Sequence, residues 1–434
     1  MSKIAIIGSG MAGFGAAYRL HETKVPAVMY EKKNHYGGHT ASHRFDSGFT
    51  LDEGPHISFT KNQHVKDLLA NNVRGEYFES KAYVNNYWQG RWIRHPAQCN
   101  LFGLPTDLVV SIIEDFIKVR GESAESIRNY QDWLYTCFGK TFADTFPANY
   151  TVKYHTTTAD NMSTDWVAPR IYRPELSEVL QGALSPSPPN VHYITEFRYP
   201  KHGGFAAYLA EFSRQMELRL EHELSELDPR EKTLRFANGK IESYDHLISS
   251  MPLTELIPRI KGVPANVLAA AGKLACTEGL IITLGIDRAD LTDAHWTYFY
   301  DLDFTITRLS TPHMQSPNNV PPGCGAFQIE VYFSKKYRPL ERPAQEYVER
   351  VKGDLLRCGL LRDTDQVIFE NVLHIPYAQV IFDLERADAL KIVHAYLDEL
   401  GIAYCGRYGL WEYIWTDESF VSGEKAAQQI IDRL

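Results

Sequence analysis

Residues 3–13, KIAIIGSGMAG, constrain the fold more than any other stretch of this chain. Residues 3–7 form a short apolar run with no alternation, cut off by glycine, which reads as a buried parallel strand. Residues 11–20 read as a helix with Ala12, Gly13, Ala16 and Ala17 on its packing faces, and residues 26–30 as a second strand ending at Glu31. A strand–helix–strand unit of about 30 residues implies parallel pairing and an α/β architecture. Gly8, Gly10 and Gly13 follow the GxGxxG pattern, which is weak alone but specific between a strand and a helix. Gly8 permits the tight turn, Gly10 lets a pyrophosphate approach the backbone, and Gly13 lets helix and strand pack closely. Met11 and Ala12 open the helix, whose unpaired N–H groups and positive dipole end suit phosphate.

Glu31 stands 18 residues after Gly13, where a carboxylate can accept hydrogen bonds from a ribose hydroxyl pair and would repel a 2′-phosphate. Lys32 follows on the same edge. These features describe an ADP-ribose cradle and do not separate NAD from FAD. Gly37-Gly38-His39, six positions after Glu31, favours FAD, because a second glycine pair lets the chain run past the pyrophosphate toward an isoalloxazine ring.

With Gly54-Pro55-His56 after Asp52-Glu53, this pattern resembles the FAD-dependent amine oxidase, protoporphyrinogen oxidase and UDP-galactopyranose mutase superfamily. Phe197–Pro200 with Gly203-Gly204 resembles a second flavin segment, Glu223-Leu224 a strand meeting adenine, and Gly406-Arg407 with Asp417 and Ser419 a C-terminal flavin segment. The implied fold is an α/β, Rossmann-like (GR2-type) three-layer FAD-binding domain carrying a helical plus antiparallel-sheet substrate domain. The expected division is 1–60, 197–262 and 376–434 for FAD binding, 61–196 for a mostly helical cap, and 263–375 for an antiparallel sheet.

Within the superfamily the chain is most similar to the mutase branch. Arg170, Arg308, Tyr377, Arg407 and Tyr413 match positions that the resemblance assigns to a substrate diphosphate, and His56 matches a flavin-side histidine. Three arginines on one cleft would bind phosphate oxygens in bidentate fashion and stabilise a departing diphosphate; the bland alternative pairs each with a carboxylate. His56 could hydrogen-bond the flavin or shuttle a proton. The resemblance implies attack by reduced flavin N5 on the anomeric carbon of a nucleotide-linked sugar, followed by ring opening and reclosure without net redox. The alternative is hydride removal from an amine, alcohol or ring carbon. Pro55, where the mutase loop has glycine, and Tyr154-His155, where it has tryptophan, depart from the pattern.

Composition narrows the remaining classes. With 434 residues, more than one packed unit is expected. A net charge of −9 argues against nucleic acid. Six scattered cysteines show no metal-ligand spacing, so no metal and a reducing cytoplasmic setting are expected. No apolar run is long enough to span a bilayer, so no stable membrane insertion is expected, and a homo-oligomer is compatible with the sequence. The cofactor is expected to be non-covalent FAD.

Residues 233–236 and 241–247 flank Asn238-Gly239, a strong hairpin signal. Residues 108–119, 127–138, 343–356 and 422–434 read as helices, and 279–286, 296–304 and 327–333 as strands.

Overall fold

The computed structural model describes residues 2–120, 127–168, 170–187 and 194–434. Strand β1 (Ile4–Ile7), helix α1 (Met11–Glu22) and strand β2 (Ala27–Tyr30) form as the glycine pattern requires. β1 lies at the centre of a five-stranded parallel sheet, between β2 and His246–Ser249, with Glu217–Arg219 and Ala403–Tyr404 at the edges. Alternate residues of β1 serve different cores. Ile4 and Ile6 pack with Phe14, Ala16 and Leu20 of α1 and with Phe420, whereas Ala5 and Ile7 join Leu224, Leu227 and Phe236. Both faces of the sheet are therefore covered, by helices on one side and by the antiparallel strands Leu224–Asp228, Thr233–Phe236 and Ile241–Ser243 on the other. This is a three-layer α/β domain.

The second unit is a seven-stranded sheet in the order Val367–Val380, Cys276–Ile286, Gly325–Phe333, Arg308–Ser310, Trp296–Phe299, Val84–Trp88, Arg91–Arg94. All its pairs are antiparallel except Trp296–Phe299 with Val84–Trp88. Helix Ala344–Arg357 buries Tyr347, Val348, Val351 and Leu355 against it.

Three sequence expectations change. Residues 77–94, inside the stretch read as mostly helical, form strands, two of which complete the large sheet. The aromatic and β-branched content there (Tyr87, Trp88, Trp92, Ile93) suits a sheet better than a helix. The strand read at 241–247 is two: Ile241–Ser243 closes the hairpin, and His246–Ser249 crosses to the parallel sheet. The strand read at 296–304 ends at Phe299, and Arg308–Ser310 returns beside it. Part of the helix read at 127–138 forms as Tyr130–Phe138. No helix among the described residues is long and apolar enough to cross a membrane.

Candidate active site

A cavity of about 660 Å³ runs from the glycine loop to the large sheet, within the usual size of small-molecule sites. At one end, Gly8 turns the chain with φ +99°, and a side chain on Gly13 would run into the Gly8 carbonyl oxygen. Glu31 ties the loop down. One carboxylate oxygen accepts from Ser9 N (3.0 Å) and Ser9 Oγ (2.9 Å), the other from Lys33 N (2.9 Å). A carboxylate offers about four lone-pair sites, so one remains for a ligand hydroxyl, and Glu31 lines the cavity.

The second glycine pair meets the first. Gly10 and Gly37 form a parallel bridge, Gly37 N donates to Ser9 O (2.9 Å), and a Cβ on Gly38 would lie 3.1 Å from Gly10 Cα. The wall here is bare backbone, a cradle that side chains would fill. His222, Glu223 and Leu224 line the same end. His222 Nδ1 lies 2.6 Å from Leu220 O and so carries the hydrogen, while its buried Nε2 has no hydrogen-bond partner. An orphaned acceptor on a cavity wall fits an adenosine donor. The residues present therefore fit the ADP half of a dinucleotide.

Sequence-derived candidates distribute unevenly around this cavity. Gly8, Gly10, Met11, Ala12, Glu31, Lys32, Gly37, Gly38, His39, Pro55, His56, Leu224, Arg308, Tyr377, Gly406, Arg407, Tyr413 and Ser419 line it. Gly13, Gly54, Arg170 and Asp417 are not among the lining residues. Gly13 packs helix on strand, and Gly54 uses its φ of +91° to turn the chain and its carbonyl to accept from His56 Nδ1 (2.9 Å). Asp417 accepts from the Thr60 hydroxyl.

The expectation that three arginines face one cleft is corrected. Arg170 is stacked between the rings of Tyr413 (4.3 Å) and Trp415 (4.0 Å), donates to Tyr413 O, and lies 3.6 Å from Glu418. Its ring contacts and carbonyl partner hold it behind the wall. Arg308 lines the cavity but is bound through Nε and Nη2 to Glu330, which also accepts from Tyr332 Oη. The pair follows from register, since Arg308 and Glu330 are cross-strand neighbours. Arg407 differs from both. It donates to Ile414 O (2.7 and 3.1 Å), Ala378 O (3.4 Å) and Gln379 Oε1 (3.0 Å), all neutral acceptors.

Burial and charge set the protonation of the two cavity histidines. Burial, opposed by the Gly54 carbonyl and reinforced by Arg407, pushes His56 down to about 4. Burial and Arg407 push His39 down to about 3. Both imidazoles are held toward the neutral form near pH 7, in which His56 can accept a proton or a hydrogen bond. Asp52 is pushed up to about 6 by burial, against hydrogen bonds from Ser42, Phe205 N and Tyr199. Tyr377 Oη pairs with Thr254 Oγ1 (3.1 Å), and Tyr413 Oη with Tyr154 Oη (3.3 Å).

Glu330, His222, Tyr154 and Trp296 escaped the sequence reading as site residues. Glu330 left a signal: a lone acid within the apolar run 325–333 must find a partner.

The comparisons agree with this architecture. Residues 6–71 match the model of an NAD(P)-binding Rossmann-like domain. A crystal structure of reduced UDP-galactopyranose mutase superimposes with a TM-score of 0.94 at 26% identity, over 100% of this chain and 96% of that one. A protoporphyrinogen oxidase fold from Exiguobacterium gives 0.76 at 16% identity, over 100% and 99%. By sequence, the chain is 24% identical over 85% of its length to a 4,4'-diapolycopene oxygenase of Methylomonas, covering 83% of it. It is 30% identical over 24% of its length to a 1-hydroxycarotenoid 3,4-desaturase of Flavobacterium, covering 22% of it.

Proposed function

On the premise that the chain belongs to the FAD-dependent oxidoreductase superfamily, we propose that it holds non-covalent FAD and acts on a nucleotide-diphosphate-linked sugar, in the manner of a UDP-galactopyranose mutase. The observation that carries this reading is Arg407. Its guanidinium lines the cavity and meets only neutral acceptors, so its charge is uncompensated among the described residues. A half-buried cation on a cavity wall with no carboxylate partner among the described residues suits an anionic ligand. Arg308 adds a second cationic edge, fixed in direction by Glu330, and the Tyr377 and Tyr413 hydroxyls supply oriented donors on the same walls. The likeness to the mutase structure over nearly its whole length supports the same reading.

Gly10, Gly37 and Gly38 would hold the diphosphate of FAD, Glu31 the ribose, and His222 Nε2 and Leu224 the adenine. Bound FAD supplies a reducible ring whose N5 serves as nucleophile or hydride acceptor. Non-covalent attachment is supported by Cys405, the cysteine of the C-terminal flavin segment, which is buried behind the wall with Sγ toward Ser249 O. Neutral His56 would accept a hydrogen bond through Nε2, and the aromatic walls (Phe59, Trp296, Tyr298, Trp415) exclude water from the reacting centre. A cytoplasmic setting fits the free thiols.

The carotenoid-acting sequence relatives and the same aromatic walls favour a second reading, net hydride removal from an apolar substrate. One experiment separates the two. Flavin-loaded, reduced protein is incubated with UDP-, dTDP- and GDP-sugars and the products are examined for isomerisation. Isomerised sugar, with affinity for UDP lost at least ~10-fold in Arg407→Ala, is the expected outcome. No nucleotide-sugar binding by the reduced protein, together with dye reduction by the oxidised protein that depends on added apolar substrate, would establish the second reading instead.

A further inference from the structure

Beside the glycine cradle, three side chains far from any metal-ligand spacing in the sequence converge. His35 lies in the turn after β2. His43 lies on β3 (Ser42–Arg44), and Glu53 follows β4 (Thr50–Asp52), with which β3 forms a two-stranded antiparallel sheet. Their donor atoms all lie within 4.8 Å of one another. His43 Nε2 is 3.0 Å from Glu53 Oε1, and His35 Nε2 is 3.8 Å from the same oxygen. The two imidazole planes are nearly perpendicular, 88° apart, with centroids at 5.0 Å.

The orientation of His35 is informative. Its Nδ1 lies 3.3 Å from Tyr36 O, so the hydrogen sits there and the Nε2 lone pair points at an anionic oxygen. A backbone carbonyl that fixes the far ring nitrogen is also the usual support of a metal-bound histidine. In this structure the carboxylate is paired with Lys33, whose Nζ lies 2.8 and 2.9 Å from the two Glu53 oxygens.

We propose that His35, His43 and Glu53 form a site for a divalent transition ion of the zinc class, with Lys33 as a built-in competitor. Two neutral imidazoles and one carboxylate suit a borderline-soft ion and leave a fourth position open. Bonds of about 2.0–2.1 Å in a tetrahedron place the ligand atoms about 3.3 Å apart; His43 and Glu53 already stand near that spacing, and His35, 3.8 Å from Glu53 and within 4.8 Å of the other donors, closes in by a side-chain rotation. Binding moves the ammonium of Lys33, already about one-third exposed, out to solvent. The site borders the cofactor cavity, which all four residues line.

The test uses the flavin-loaded protein, freed of metal, titrated with Zn²⁺ alone against a chromophoric chelator. Wild type, Lys33→Met, His43→Gln and the His35→Gln/His43→Gln double variant are compared, with retained flavin absorbance as the check on folding. Expected is one equivalent of Zn²⁺ in wild type, binding at least ~10-fold tighter in Lys33→Met and at least ~10-fold weaker in His43→Gln. The spectrum of the Co²⁺-substituted Lys33→Met protein should be that of a tetrahedral or five-coordinate ion. The proposal is overturned if Lys33→Met binds Zn²⁺ no more tightly than the double variant, or if its Co²⁺ spectrum is octahedral.

Discussion

Arg308 and Glu330 show how a single residue's meaning depends on its neighbour across a sheet. Removing one partner of a buried ion pair leaves the other charged and desolvated, at about 3–5 kcal/mol. Glu330→Gln should therefore lower the melting temperature markedly. Arg308→Leu/Glu330→Leu should recover much of the loss, because an apolar pair of similar volume suffers no such penalty. A Glu330→Gln protein that melts with wild type would show that the pair is solvated. The two half-buried cavity histidines make a second prediction. With His39 near 3 and His56 near 4, the unfolded chain binds more protons than the folded one between those values and the ordinary 6.5. Stability then rises with pH in that window and is lost on acidification. Asp52, raised to about 6, acts in the opposite sense below that value, as one group against two. Melting temperature should fall from pH 7 to pH 4.5, and His39→Gln should flatten the fall; an unchanged slope in the variant contradicts the assignment. At this scale the sequence names the residue types but not their partners. Glu330 is conspicuous in an apolar strand, yet only register joins it to Arg308. Arg170 is indistinguishable by sequence from an arginine facing the cavity.

At the scale of elements, the cofactor end rests on a helix crossing made of glycines. α1 meets helix Thr416–Ile431 where Gly15 faces the Phe420 backbone and Gly423 faces Ala12 and Ala16. A side chain on Gly423 would run into Ala12 O, so the helices touch backbone to backbone. Gly423→Val should push α1 away from the sheet and displace the loop that α1 supports. Flavin should be lost on gel filtration before the fold is lost by circular dichroism; retained flavin in this variant would refute the coupling of crossing to cradle. Gly353, in helix Ala344–Arg357, is the opposite case, since a Cβ there would meet nothing within 4 Å. Gly353→Ala should accordingly stabilise by about 0.5–1 kcal/mol, read as a raised denaturation midpoint. The β1–α1–β2 unit is readable because its signals are local: apolar run, glycine spacing, acid at the strand end. Residues 77–94 are not, because a strand that pairs with Trp296–Phe299, about 210 residues away, owes its form to that partner.

For the whole molecule, the cavity is a junction. Its walls come from the N-terminal glycine loops, from Tyr154, from residues 222–259, from the large sheet and from residues 406–419. A chain ending after Leu400 would keep GxGxxG and Glu31 but lack Ala403–Tyr404, Arg407 and the helix that clasps α1. It should retain no flavin after gel filtration, and retention would mean that the N-terminal glycine loops suffice. The interleaving also sets a schedule. At about 5–20 residues per second, roughly 20–75 s of synthesis separate the emergence of Glu31 from that of Arg407. Throughout that interval the phosphate cradle exists without its lid, and no ligand can be locked in. On the proposed function, FAD would then be a late ligand of folding, and a shortage of the vitamin precursor should lower the yield of finished protein rather than merely its activity.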